Sequence, residues 1–248
     1  MKHPIRKKWG QNFLQDPNII RKIVDVVNPI EEDVILEIGP GKGALTFELT
    51  PKVKQLIAVE IDPLLVEYLN KRKQSNLVIH QADILDFGFN QMEYKYLIVG
   101  NLPYNITSPI IFKLLENTNW NKAVFMVQNE VAERMSAKPG NKIYGRLSVM
   151  VQAFAKVQYH FKVPPGVFFP QPDVNSAVIS LTPIRRNIDD RLLFTEIVRT
   201  AFGQRRKKIR NTLKSYLVEN KLEQIGDLRP EDLAVSDFID ISNSCKEL

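Results

Sequence analysis

The chain has 248 residues, of which 44% are hydrophobic and 25% charged, so its composition is that of a globular protein and excludes a disordered one. Lysine and arginine number 34 against 28 acidic residues, and the net charge of +6 favours a polyanionic partner. The single cysteine, Cys245, excludes an intramolecular disulfide framework, and with only three histidines we expect no metal site. We find no apolar run of the ~18 residues that a membrane helix needs and no signal-peptide pattern, so we expect a cytoplasmic protein that binds no membrane.

Five near-continuous apolar runs alternate with helix-like stretches, and they predict a sheet that helices cover on both faces. The predicted strands are residues 34–38, 56–60, 77–80, 96–99 and 123–127. Helical stretches such as residues 63–69 and 109–115 separate them, and this alternation is typical of a doubly wound α/β fold. Two more β-like runs, residues 149–161 and 177–181, flank a proline-rich stretch, residues 164–172, which we expect to be an ordered loop.

The composition changes after Pro183. Residues 185–214 carry ten basic and three acidic side chains, whereas residues 215–248 carry three basic and eight acidic ones. No β-rich run follows Pro183, so we expect helices there. The sequence therefore predicts two domains, an α/β domain over residues 1–183 and a small helical domain over residues 184–248.

A glycine-rich loop, residues 39–43, follows the first predicted strand, and an acid, Glu60, ends the second. Glycines at such a turn let the backbone approach a ligand closely, and a carboxylate at the end of the second strand can accept hydrogen bonds from two ribose hydroxyls. Asp83, after the third strand, can accept a hydrogen bond from an adenine amine or can cap a helix. The pattern indicates a cofactor that contains a nucleoside without saying which one, because Gly39 and Gly41 also fit the dinucleotide fingerprint.

The tetrapeptide Asn-Leu-Pro-Tyr follows the fourth predicted strand at residues 101–104. The lone pair of an adenine amine is delocalised into the ring, and two acceptors aimed at its N–H groups favour a more pyramidal and more nucleophilic nitrogen. The Asn101 side-chain oxygen and the Leu102 carbonyl can supply them. Pro103 fixes φ and so the direction of that carbonyl, while the Tyr104 ring can stack on an extruded base. The same residues also occur in ordinary turns, but their place on this sheet edge favours an adenine amine as the reacting group.

Residues 198–216 predict a basic amphipathic segment. Apolar side chains recur on one face at helical spacing, namely Val198, Phe202, Ile209, Leu213 and Tyr216. Basic side chains lie roughly opposite, namely Arg199, Arg206, Lys207, Arg210 and Lys214. No acid occurs between residues 199 and 214, which favours contact with phosphates over a merely solvated face, and Gly203 can split the segment into two helices.

Together these residues resemble the S-adenosylmethionine-dependent RNA adenine N6-methyltransferases, and above all the bacterial 16S rRNA adenine dimethyltransferase family. The segments that carry the resemblance are residues 10–14, 37–46, 100–106, 144–149, 168–176 and 201–211. Residues 144–149 and 204–211 are particular to that family, whereas the first three segments and residues 168–176 also resemble the 23S rRNA enzymes of macrolide resistance. Trp9 stands where the family more often has Phe.

The resemblance implies a Rossmann-like class I methyltransferase sheet with a small helical C-terminal domain and S-adenosylmethionine as the cofactor. It implies dimethylation of the N6 amines of two adjacent adenosines near the 3′ end of 16S rRNA, within the small ribosomal subunit, and we expect a monomer. The resemblance implies cofactor contacts from Asn12, Leu14, Gly39, Glu60, Asp83 and Asn101, and we extend this prediction to Gly41, Ile61 and Ile84. We predict catalytic roles for Asn101, Leu102, Pro103 and Tyr104, and for Phe168 as the aromatic opposite Tyr104, a role that Phe169 can also take. We predict RNA contacts from Arg146, Arg205, Arg206, Lys207, Lys208, Arg210 and Lys214.

Three other functions remain open at this point. A 23S rRNA adenine methyltransferase shares the chemistry and differs in its RNA target. An RNA-binding assembly factor, whose methylation is incidental, would keep its function without Asn101. An NAD-dependent dehydrogenase fits the glycine loop, but it gives residues 101–104 no role, and the sequence offers no evident hydride-transfer acid.

Overall fold

The structure is a computed structural model that describes residues 10–89, 95–217 and 219–245, the side chain of Asn220 excepted. Trp9 lies outside the described residues. In this part of the chain no helix is both long and apolar enough to cross a membrane, and His, Cys, Asp and Glu side chains form no group that could hold a metal ion.

The largest element is a mixed sheet of seven strands. Their bounds are β2 (Val34–Ile38), β3 (Gln55–Glu60), β4 (Leu77–Gln81), β5 (Tyr96–Asn101), β6 (Trp120–Gln128), β7 (Ala155–Val163) and β9 (Ser176–Pro183). The strand order is β4-β3-β2-β5-β6-β9-β7. The first five strands of this order are parallel to one another, and β9 is antiparallel to β6. Two further short strands, β1 (Phe13–Leu14) and β8 (Phe168–Phe169), pair antiparallel as a separate ribbon.

Ten helices connect or follow these strands in the described residues. Their bounds are α1 (Pro17–Val27), α2 (Thr46–Leu49), α3 (Pro63–Asn70), α4 (Thr107–Leu115), α5 (Asn129–Ser136), α6 (Arg146–Phe154), α7 (Arg191–Gly203), α8 (Ile209–Thr212), α9 (Glu219–Ile225) and α10 (Val235–Ser244). Short 3₁₀ turns lie at Thr50–Lys52, Pro165–Val167, Lys214–Tyr216 and Pro230–Asp232. The starts of α1 and α3 follow from sequence, because Asp16 and Asp62 accept hydrogen bonds from the backbone N–H groups of the first turn and a proline follows each.

The predicted α/β class and its five parallel strands are confirmed, and some strands extend beyond the predicted ends. The β-like run over residues 149–161 is wrong in its first half, because α6 continues to Phe154 and β7 begins at Ala155. Val149, Val151 and Ala153 are fully buried in that helix. A helix that is buried on several sides reads as a continuous apolar run, which periodicity alone does not separate from a buried strand.

Contacts divide the chain into two compact units. The first comprises Met1–Ala132 and Gln158–Pro183 and holds most of the sheet, while the second comprises Glu133–Val157 and Ile184–Leu248 and is largely helical. The predicted division at residue 183 coincides with the end of the first unit, but residues 133–157 group with the second. The reason is that α6 packs against α7 and α10, with the Phe154 ring against that of Phe194.

Candidate active site

Four strand ends of the first unit meet at one edge of the sheet and line a cleft of about 340 Å³. Because β2, β3, β4 and β5 run in the same direction, the residues at or after their carboxyl ends lie close together. Residues 10–14 line the same cleft. The structure thus brings together every residue predicted to bind the cofactor, namely Asn12, Leu14, Gly39, Gly41, Glu60, Ile61, Asp83, Ile84 and Asn101, and with them Leu102, Pro103 and Tyr104.

The glycine loop after β2 depends on backbone conformations that other residues rarely adopt. Gly39 and Gly41 have φ values of +64° and +59°. A Cβ atom at Gly39 would meet no heavy atom within 4 Å, so this glycine is required by conformation and the space beside it is open cleft. A Cβ atom at Gly41 would lie 3.1 Å from the Phe13 ring, so this glycine also makes room for β1.

Glu60 is a buried acid, 5% exposed, whose carboxylate the backbone holds in place. Its Oε2 accepts a hydrogen bond from the Gly41 N–H at 3.1 Å, and its Oε1 accepts one from the Asp62 N–H at 3.0 Å. A carboxylate offers about four lone-pair sites, so each oxygen keeps one acceptor position for a ligand. Burial raises the pKa of Glu60, and the two backbone hydrogen bonds oppose that rise.

Asp83 lines the cleft and stabilises a turn, and no helix of the described residues begins directly after it for it to cap. Its Oδ1 accepts a hydrogen bond from the Leu85 N–H at 2.8 Å and so stabilises the turn after β4. The second carboxylate oxygen keeps its acceptor capacity. Ile61 and Ile84 line the cleft as apolar walls, the first 38% exposed and the second 7% exposed.

The orientation of Asn101 is set by the backbone of residues 10–14. Its Nδ2 donates a hydrogen bond to the Asn12 carbonyl at 2.8 Å. Because a carbonyl can only accept, this contact determines which end of the amide faces Asn12 and leaves Oδ1 as an acceptor. The Leu102 N–H donates to the Met126 carbonyl at 3.0 Å, and no group of the described residues donates to the Leu102 carbonyl. No donor of the described residues thus occupies the Asn101 Oδ1 or the Leu102 carbonyl, so both oxygens keep the capacity to accept a hydrogen bond.

The two predicted aromatic residues lie in different environments. Tyr104 lines the cleft, and its hydroxyl lies 2.7 Å from the Ser176 Oγ. Phe168 is 4% exposed and packs in the hydrophobic core, and it is not among the residues that line the cleft. Phe168 pairs with Leu14 in the ribbon and belongs to the same core cluster, while its neighbour Phe169 is 53% exposed. The structure therefore places Tyr104, but not Phe168, at the cleft.

Sequence reasoning missed Glu37, an acid on β2 that also lines the cleft. It is 2% exposed, and burial raises its pKa to about 7. Hydrogen bonding from Thr46 opposes that rise, and the charge of the nearby Glu60 adds to it. The Glu37 Oε2 has no hydrogen-bond partner among the described residues. The signal was present, because an acid inside an otherwise apolar strand next to a glycine loop is expensive unless a ligand uses it.

The predicted RNA-binding residues lie in the second unit and fall into two groups. Arg205 pairs with Glu231, while Lys208 and Arg210 both pair with Asp227 at 2.8 Å. The other four are exposed, namely Arg146, Arg206, Lys207 and Lys214. Of these, Arg206, Lys207 and Lys214 show no acidic partner within the described residues. The basic segment is split as its glycine predicted, because α7 ends at Gly203, and its apolar face is buried at Val198, Ile209 and Leu213.

Solved structures show the class to which this fold belongs. A dimethyladenosine transferase from Plasmodium falciparum superposes with a TM-score of 0.82 at 29% identity, covering 92% of this chain and 95% of that one. The 23S rRNA methyltransferase ErmE superposes with a TM-score of 0.73 at 26% identity, covering 94% and 100%. The chain therefore has the Rossmann-like fold of RNA methyltransferases, as predicted.

Sequence comparison gives the family. The model of the ribosomal RNA adenine dimethylase family matches residues 2–246. The ribosomal RNA small subunit methyltransferase A of Aromatoleum aromaticum is 44% identical over 97% of this chain and 94% of its own length. That of Pseudomonas syringae pv. tomato is 44% identical over 99% and 96%. The chain belongs to the ribosomal RNA adenine dimethylase family, and this membership excludes the dehydrogenase alternative.

Proposed function

We propose that this protein transfers methyl groups from S-adenosylmethionine to the N6 amines of two adjacent adenosines near the 3′ end of 16S rRNA, in the small ribosomal subunit or its precursor in the cytoplasm. Two relatives named ribosomal RNA small subunit methyltransferase A, each 44% identical over nearly the whole chain, support the choice of RNA. The observation that carries the chemistry is the Asn101 amide, which Asn12 holds so that its oxygen is left to accept a hydrogen bond.

The cleft fits this cofactor by the chemistry of its side chains. Glu60 keeps two acceptor positions for the ribose hydroxyls, and Asp83 keeps a carboxylate oxygen for the adenine amine. The isoleucines at positions 61 and 84 provide apolar walls for the adenine ring. The unpartnered Oε2 of Glu37 suits a positively charged ligand, and S-adenosylmethionine carries a sulfonium and an ammonium group. The volume, about 340 Å³, is within the range of small-molecule sites.

The residues of the turn would act on the target amine. When bound, the cofactor supplies an electrophilic methyl group on a positively charged sulfur. In the first transfer the Asn101 Oδ1 and the Leu102 carbonyl would accept hydrogen bonds from the two N–H groups, so that the nitrogen lone pair is free to attack. The nitrogen becomes positive as its bond to the methyl carbon forms and the bond from that carbon to sulfur breaks, which leaves a neutral thioether on the cofactor. Both oxygens stabilise the positive charge before a proton leaves to water. The base must leave its stack to enter the site, and the Tyr104 ring would receive it, a contact worth about 1–3 kcal/mol.

The helical unit would supply RNA binding that does not depend on base identity. Arg206, Lys207 and Lys214 are exposed cations without an acidic partner in the described residues, and phosphate is the group that such side chains attract. The ion pairs that hold Arg205 and Arg210 leave those two side chains less available for this purpose.

The direct test uses labelled S-adenosylmethionine with unmethylated small subunits, large subunits, naked 16S rRNA and naked 23S rRNA. We expect label in small-subunit particles, and mapping should place two dimethylated adenosines next to each other near the 3′ end of 16S rRNA. Label in 23S rRNA alone would instead favour the resistance-type enzyme. An Asn101→Ala protein that transfers no methyl group and still fully supports subunit assembly would favour the assembly factor.

A further inference from the structure

A buried serine bonds to the hydroxyl of the aromatic residue at the cleft. Ser176 is fully buried at the start of β9, and its Oγ lies 2.7 Å from the Tyr104 Oη. In the sheet Ser176 lies opposite Gln128, the last residue of β6, so the start of β9 reaches the edge at which β5 and β6 end. A residue far along the chain thus contacts the Asn-Leu-Pro-Tyr turn.

The bond joins the far end of the ring to the sheet. The Tyr104 Oη lies on the axis of the second side-chain torsion. A hydrogen bond of 2.7 Å at this atom, an ordinary O–H···O length, therefore constrains the first torsion and with it the place of the ring. Because Ser176 is buried, water does not compete for its Oγ. A flat base stacks well only on a ring that lies at the right place beside it, because a displaced ring reduces the overlap.

We propose that Ser176 is a positioning residue, which holds the Tyr104 ring at the place where it receives the target adenine. This inference rests on the proposed function, since it requires a base to enter the cleft. Ser176 is the last residue of the segment 168–176, so this role connects that segment to the site although Phe168 does not line the cleft.

The same strand offers a matched control in Ser180. This serine is 4% exposed, and its Oγ lies 2.8 Å from the His160 Nε2. It therefore matches Ser176 in residue type, strand, burial and bond length, but its partner does not line the cleft. A general effect of removing a buried hydroxyl from β9 should appear at both positions, whereas an effect on base stacking should appear only at Ser176.

The experiment is a double-mutant cycle on Ser176→Ala and Tyr104→Phe, with Ser180→Ala as the control. Methyl transfer would be followed in single turnovers on unmethylated small subunits, with cofactor affinity by calorimetry and thermal unfolding alongside. We expect Ser176→Ala and Tyr104→Phe each to lower kcat/KM for RNA by about three- to tenfold, the loss expected for one hydrogen bond. The double variant should lose no more than either single variant, because both remove the same bond. Ser180→Ala and cofactor affinity should stay at the wild-type level.

Additive losses in the cycle, or an equal loss in Ser180→Ala, would overturn the positioning role. If Ser176→Ala fails to fold, Tyr104→Phe still decides, because it keeps the ring and removes only the hydroxyl; a wild-type rate in that variant would overturn the proposal. A wild-type protein that labels no RNA would overturn the proposed function itself. An active wild-type protein with additive losses in the variants would overturn only the role of Ser176.

Discussion

Replacing Asn101 tests whether this residue is a catalytic hydrogen-bond acceptor or only part of a turn. In Asn101→Ala both contacts of the amide are lost, the bond to the Asn12 carbonyl and the oxygen that would accept from the target amine. Removing one such preorganised group typically lowers the rate by ~10²–10³, equivalent to about 2.7–4 kcal/mol. We expect a loss of that size in single-turnover methyl transfer at saturating cofactor and RNA, with a much smaller change in cofactor affinity.

Asn101→Asp sharpens the test because it keeps acceptor oxygens at the same place. An ionised carboxylate cannot donate to the Asn12 carbonyl, which lies 2.8 Å from the amide nitrogen, so two acceptors would then face each other. We therefore expect Asn101→Asp to be impaired nearly as strongly as Asn101→Ala. Thermal unfolding of both variants controls for damage to the fold. A near wild-type rate in Asn101→Ala would refute the catalytic role, and one in Asn101→Asp would refute the role of the bond to Asn12.

Three further results are expected. Glu60→Ala should lower the affinities for S-adenosylmethionine and S-adenosylhomocysteine, measured by calorimetry, by about one to two decades, the contribution of a charge-assisted hydrogen bond, and should leave RNA binding unchanged. Wild-type affinities for both ligands would mean that the ribose site lies elsewhere. Changing Arg206, Lys207 and Lys214 to glutamine should flatten the slope of the log–log salt dependence of subunit binding by roughly 2–3, at about 0.7–0.9 per phosphate contact. An unaltered slope would mean that the RNA-binding surface lies elsewhere. Burial raises the pKa of Glu37 from 4.5 to about 7, so the folded protein keeps a proton that the unfolded chain releases, and stability should fall as pH rises through that interval. Glu37→Gln should remove this dependence and exceed the wild-type free energy of unfolding by up to about 3 kcal/mol above neutral pH, measured with denaturant, whereas parallel pH curves would contradict it.

The sheet was predictable because its evidence is local. Buried parallel strands are apolar on both faces, so runs such as residues 34–38 and 96–99 appear directly in the sequence, and the edge that they share gathers Gly39, Glu60 and Asn101. The same signal misled at residues 149–154, where a buried helix carries the same kind of run.

What the sequence did not provide are the contacts between distant segments. Nothing in the spacing links Asn12 to Asn101, 89 residues apart, or Tyr104 to Ser176, 72 residues apart, yet these two bonds orient the turn. Nor does it show which of two adjacent phenylalanines faces the core, because Phe168 and Phe169 are equivalent by composition and the choice depends on how β8 pairs with β1. Propensity and periodicity describe a segment, whereas the site depends on pairings that only the folded chain brings about.

Glu37 shows why such a site departs from what folding alone would favour. A carboxylate in a buried strand loses its hydration, and its Oε2 gains no partner in return within the described residues, so an apolar side chain or an amide there would give a more stable protein. The lost stability is recovered if a positively charged ligand enters the cleft, because the negative charge that is unfavourable in the free protein is then favourable. A cofactor that carries a sulfonium and an ammonium group meets this condition, and a neutral nucleoside does not. The stabilisation that a ligand provides should therefore depend on pH. A cationic ligand should stabilise the protein most above about pH 7, where Glu37 is ionised, and least where the carboxyl already holds a proton.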